Sequence, residues 1–226
     1  MMMGKELSNW KDAVTYFEKA CMMYREHGTP DTAAMCLDRG AKALESVDPE
    51  KAAEFYAVAA EVSMIENKSH VAAEFCGKAA RVQMKLKNLS KAVELLKSQL
   101  SHLIETEDMG GCGRAVVCLV LVCLAMDDYV AGRKAFTENR VYVEQHELYT
   151  MELLLEGFDT SDPGKIVSAL RHPFIKSLDN EITKLVRDMT QKYSGKQAAN
   201  NYDDYENDAP AGNGDQIVDE DAAGLM

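Results

Sequence analysis

Turn formers are scarce in this chain, with 5 prolines and 14 glycines in 226 residues. A fold of many short strands needs turn signals roughly every 8–12 residues, so an all-β reading fails at the outset. Aromatic residues are 7% of the chain, with one tryptophan. Alanine and methionine are plentiful instead, and both favour helices over strands. The longest apolar run is residues 115–126, between Arg114 and Asp127. A membrane-spanning helix needs about 20 such residues, so this run reads as a buried helix. The opening Met1-Met2-Met3-Gly4-Lys5-Glu6 has no apolar core followed by a small-residue cleavage site, as a secretory signal would. Among six cysteines no CxxC pair occurs, which suits buried thiols in a cytosolic protein.

Positive charge is also in deficit. The formal net charge is -12. From Ser194 onward there are eight acids and a single base, Lys196, while residues 1–193 hold 24 bases and 29 acids. Phosphate binding requires clustered Lys and Arg, so nucleic acid is excluded as the main partner.

What the chain does have is a repeat. Residues 52–60 read AAEFYAVAA and residues 72–80 read AAEFCGKAA, identical at six of nine positions with an offset of twenty. Ala13, Ala33, Ala53 and Ala73 continue the phase, followed by Val93. Ala20, Gly40, Ala60 and Ala80 make a second small column, and Tyr16, Cys36, Tyr56, Cys76 and Leu96 a bulkier third. Twenty residues is about one helix and one turn. The small columns lie seven residues apart, on one side of each helix, where they let a neighbour approach to about 8 Å. In the first helix Trp10, Ala13, Val14, Phe17, Cys21 and Tyr24 trace an apolar stripe at helical spacing.

The breaks fall at the same period. Gly28 closes one helix and Thr29-Pro30 opens the next; Asp48-Pro49 and Asp162-Pro163 repeat that start signal. Turns are expected at 67–69 and 87–90, and Gly110-Gly111 is expected to separate two helices. Later helices are expected at about 145–157, 162–170 and 176–193. Paired helices make hairpins of about forty residues, longer than the ~34 of a tetratricopeptide repeat but stacking by the same logic. The expected fold is therefore all-α, a right-handed α-α superhelix of tetratricopeptide-like hairpins with a C-terminal helical bundle. Residues 1–110 form the hairpin array, 111–193 the capping helices, and 194–226 an acidic tail expected to be largely disordered.

Catalytic signatures are missing. Met109-Gly110-Gly111-Cys112-Gly113 lacks the Lys-Ser/Thr ending of a phosphate loop. Cys112, Cys118 and Cys123 have no histidine near them and no paired spacing for zinc. The five histidines form no hydrolytic motif. No catalytic residue, cofactor, metal or small-molecule substrate is expected. An enzyme reading would require an exposed, low-pKa thiol among Cys112–Cys123. The basic residues carry the binding candidates. Lys78, Arg81 and Lys85 lie at i, i+3 and i+7 on one helix face, with Lys87 and Lys91 a turn beyond. A solvated face is the simpler account; a positive patch for an acidic partner is the functional one. A generic tetratricopeptide-type co-chaperone or scaffold is the alternative, and it would need a compact Lys/Asn clamp for a carboxylate terminus.

Several stretches resemble the soluble NSF attachment protein family, in its gamma branch. They are GTPDTAAM at 28–35, VDPEKA at 47–52, AMDDYVAGRKAF at 125–136, ELLLEGFD at 152–159 and SLDNEITKLVRDM at 177–189. The resemblance implies an adaptor that wraps SNARE helix bundles and recruits the ATPase NSF for their disassembly in vesicle transport, including the ER–Golgi step, and in membrane fusion. It implies a cytoplasmic protein, peripheral on the cytosolic face of Golgi or vesicle membranes, and no covalent chemistry. It also implies further hairpins upstream of Met1. Leu178 and Asp179 fall in its last-helix motif, and Leu225 in an acidic end that contributes to ATPase stimulation. Lys78 and Arg81 are expected to face the SNARE bundle.

Overall fold

The computed structural model describes residues 10–207. Among these, eleven α-helices and one 3-10 turn account for the regular structure, and no strand occurs. The helices are α1 (Trp10–Glu26), α2 (Pro30–Leu44), α3 (Pro49–Met64), α4 (Ser69–Lys85), α5 (Leu89–Glu105), α6 (Met109–Ala125) and α7 (Tyr129–Asn139). A 3-10 turn at Arg140–Tyr142 follows, then α8 (Gln145–Asp159), α9 (Pro163–Leu170), α10 (Pro173–Lys176) and α11 (Asn180–Asn207). Each of α1 to α6 packs on the next, as stacked hairpins. α8 packs on α9 and α9 on α11, and α11 folds back onto α6 and α4.

The turns explain the regularity. Asn67, Lys87, Glu107 and Asp127 all sit at φ between 55° and 63°, at twenty-residue intervals. At each, the next amide closes the helix end by donating back five residues: Lys68 to Ser63, Asn88 to Gln83, Asp108 to Leu103 and Asp128 to Cys123. This left-handed stop ends α3 to α6 within one residue of the same length. The period thus runs on through the start of α7, past residue 110, where the sequence pattern blurs.

Starts are fixed by carboxylates. Asp48 accepts from the Lys51 amide at 3.1 Å, Asp108 from Gly111 at 2.9 Å, and Asp128 from Ala131 at 3.0 Å. Asp162 accepts from Gly164 and Lys165. The Asp108 cap explains why Gly110-Gly111 is no separator: both glycines lie in the first turn of α6. Thr29, expected to cap α2, instead donates its hydroxyl to the Tyr24 carbonyl at 2.9 Å. The expected last helix at 176–193 divides into α10, ended at Ser177, and α11, which runs to Asn207 into the stretch read as tail.

Two apolar cores meet at α4. Ala72, Phe75, Cys76, Ala79 and Val82 join the core of α1 to α3. Ala73, Ala80 and Met84, from the other side of the same helix, join the core of α5 to α11. α6 is the centre of that second core, and its run from Ala115 to Leu124 is buried apart from Cys118. No helix among the described residues is long and apolar enough to cross a membrane.

Candidate functional site

α4 carries the basic stripe because its other faces are taken up by the two cores. Lys78 lies half-buried, its Nζ 3.0 Å from Asp38 of α2 and 2.8 Å from Glu74 one turn back. The ammonium also sits 4.9 Å from the Phe75 ring centroid and 5.9 Å from that of Tyr56. Burial works against the charged ammonium, but the hydrogen bonds it donates to Glu74 and Asp38 outweigh it and raise its pKa. Asp38 shows the mirror image. Burial raises its carboxyl, yet the hydrogen bonds from Lys42 and Lys78 prevail and hold it below the ordinary value. The Tyr56 hydroxyl donates to Glu45 at 2.6 Å. These residues tie α2, α3 and α4 together.

Arg81 reaches the other way. Its guanidinium is 3.1 Å from Asp179, at the corner before α11 and 98 residues on. The stripe of Lys78, Arg81 and Lys85 and the separately read Asp179 therefore line one groove of about 320 Å³, together with Glu45, Val82, Asn180 and Glu181. Leu178 faces a neighbouring cleft of about 500 Å³ between α4, α6 and the α10–α11 corner, which Arg81 and Asp179 also border. Two more exposed pairs, Lys87 with Asp188 and Lys192 with Asp127, fasten α11 to the turns after α4 and α6. Leu225 lies outside the described residues.

The stripe is thus not a bare positive patch. Lys78 and Arg81 are committed to internal carboxylates, and Glu181 to Lys184. Among the described cations of this groove, Lys85 alone has no carboxylate within 4 Å and is exposed. A single free cation does not make the clamp that the co-chaperone alternative requires. Sequence reasoning missed Asp38 and Glu74 as partners. Both had a signal: Glu74 is at i-4 of Lys78, and Asp38 occupies the position of Lys78 one hairpin earlier, forty residues back.

The thiols run against the enzyme alternative. Burial, then Asp179, pushes Cys118 up to about 12, and Cys112 and Cys123 are raised by burial as well. A reactive cysteine needs the opposite shift. No group of three or more potential metal ligands occurs among the described residues.

Comparison with known proteins agrees with this architecture. A family model described as soluble NSF attachment protein matches residues 2–186. A gamma-soluble NSF attachment protein of Dictyostelium discoideum is 23% identical over 191 residues, covering 83% of this chain and 59% of its own. One from Arabidopsis thaliana is 21% identical over 188 residues, covering 82% of this chain and 65% of its own. The chain therefore spans less than two thirds of either relative.

Proposed function

The chain belongs to the soluble NSF attachment protein family, and from that premise we propose that it is an adaptor joining the ATPase NSF to assembled SNARE bundles. The observation that carries this reading is the family match over residues 2–186, which takes in α1 to α10 and the start of α11. The supporting architecture is a stiff rack of equal helices, a surface for binding and not for bond making. The SNARE-facing surface includes the α4 groove, where Lys85 offers the free charge and Lys78 and the Arg81–Asp179 pair shape the wall, and the neighbouring cleft that Leu178 lines. The acidic C-terminal end with Leu225 is directed to the ATPase. The protein works in the cytoplasm and touches Golgi or vesicle membranes only peripherally, through its partners.

Each exposed charge pair is worth roughly 0.2–1 kcal/mol, so affinity arises from many weak contacts over several adaptor copies. The test is bridging. A SNARE bundle on beads should retain NSF only when this chain is present. Retention equal with and without the chain contradicts the reading. Lys85→Glu should weaken bundle binding about 2- to 5-fold with an unchanged helical spectrum, since it breaks no internal pair. Unchanged binding would remove the groove from the SNARE surface.

A further inference from the structure

A groove of about 430 Å³ lies between α5 and α7, away from the α4 surface. Its floor is apolar: Leu100 and Ile104 of α5, Leu119 of α6, and Ala131 and Ala135 of α7. The repeat explains why it is open. Forty residues earlier the place of Ala135 is held by Leu95, which packs against both cores, and the place of Ala131 by Lys91. Two alanines in their stead leave the floor uncovered, and Ile104 stands 38% exposed. Exposed lysines flank the floor, Lys97 on α5 and Lys134 on α7. Lys97 has no carboxylate within 4 Å among the described residues, and Lys134 has only Glu138 of its own helix, at 3.8 Å. In a chain of net charge -12, an apolar floor between two exposed cations fits an occupant that is acidic and partly apolar.

We propose that this groove is the docking site of the chain's own segment 215–221, with Ile217 and Val218 seated on Leu100, Ile104 and Leu119 and the flanking carboxylates against Lys97 and Lys134. The segment reads DQIVDED, an aliphatic pair with Asp215 on one side and Asp219, Glu220 and Asp221 on the other. From residue 208 onward the chain has five acids and no Lys or Arg. Its reach is sufficient. Lys192 of α11 is fastened to Asp127 at 2.6 Å, one helical turn before Ala131. From there α11 continues to Asn207, about 23 Å at 1.5 Å per residue. Residues 208–217 can span up to about 33 Å, so Ile217 can return to the groove even if α11 points straight away from it. The α4 groove fits the segment less well. Its lining carries Glu45, Asp179 and Glu181, and Lys85 is the one free cation among its described residues. Docking within one molecule proceeds at a millimolar effective concentration, so an affinity of about 1 mM already half-fills the groove. Docked there, the acidic segment is withheld from other basic surfaces until one of them outcompetes the two lysines.

The test is zero-length carbodiimide cross-linking of the 226-residue chain, with the links mapped by mass spectrometry in the monomer fraction. A concentration of ~5 µM favours contacts within one copy. Links from Asp215, Asp219, Glu220 and Asp221 to Lys97 and Lys134 should exceed those to Lys19 of α1 and Lys176 of α10, two other exposed lysines, at least ~5-fold. They should fall at least ~3-fold between ~50 and ~500 mM salt. Ile217→Ser with Val218→Ser leaves every carboxylate and the folded body in place, and it should cut the same links at least ~3-fold. Links spread evenly over the exposed lysines, links gathered on Lys85, links found only between two copies, or links indifferent to the double serine variant would each overturn the proposal. None of these outcomes depends on SNARE or NSF binding.

Discussion

Asp38 shows most clearly what a single residue contributes. It is only 16% exposed at its side chain and accepts from lysines of its own helix and of α4. Charge-assisted hydrogen bonds of this kind are worth about 1.5–3 kcal/mol, so Asp38→Asn should cost on the order of 1–2 kcal/mol at pH 7. The folded pKa is lowered. The contribution is therefore complete above the unfolded value of about 3.9 and is lost as pH falls through the folded one. Urea melts of the two proteins should diverge at pH 7 and converge below pH ~4; a gap that persists unchanged into strong acid would contradict the account. Glu107 offers the opposite lesson. It holds φ at 55° with a side chain for which no ion pair or hydrogen bond is seen among the described residues. A left-handed residue costs about 1–2 kcal/mol, offset by the ~0.5–1 kcal/mol of extra freedom a glycine has when unfolded. Glu107→Gly should raise stability by about 0.5 kcal/mol, read as a higher urea midpoint.

At the scale of elements, helix length is set by the stops and spacing by the small residues. A Cβ on Gly40 would sit 2.9 Å from the rings of Phe17 and Phe55, and one on Gly113 would sit 2.6 Å from the Tyr142 carbonyl oxygen. Rings can tilt, whereas a carbonyl in a 3-10 turn moves only with its backbone. Gly113→Ala should therefore cost about 1–3 kcal/mol and loosen the turn that leads from α7 to α8. Faster amide exchange at Tyr142 and Val143 than at α3 would be the local signature. The twenty-residue columns made α1 to α5 legible, because identical neighbours impose identical small residues. α6 broke that reading, since a helix buried on all sides needs no stripe. Its glycine pair looked like a linker only because the Asp108 cap was not recognised. α11 was read short for a related reason: its polar continuation past 193 carries no apolar stripe to mark it as helix.

For the whole molecule, burial outweighs charge. Large apolar side chains such as Leu37, Phe55, Leu154 and Ile175 each contribute about 1.5–3 kcal/mol, several times an exposed ion pair. Fold class was readable for that reason. The site was readable in part: the stripe at 78, 81 and 85 and the motif at 178–179 were both visible. Their convergence was not, because Arg81 and Asp179 lie 98 residues apart with no repeat to link them. The proposed adaptor role requires this array to bind a SNARE bundle through many weak charged contacts. Equilibrium binding of the chain to an immobilised bundle, measured from ~50 to ~500 mM salt, tests it directly. Affinity falling steeply and continuously with salt is the predicted result; no binding at the lowest salt, or binding indifferent to salt, would contradict it.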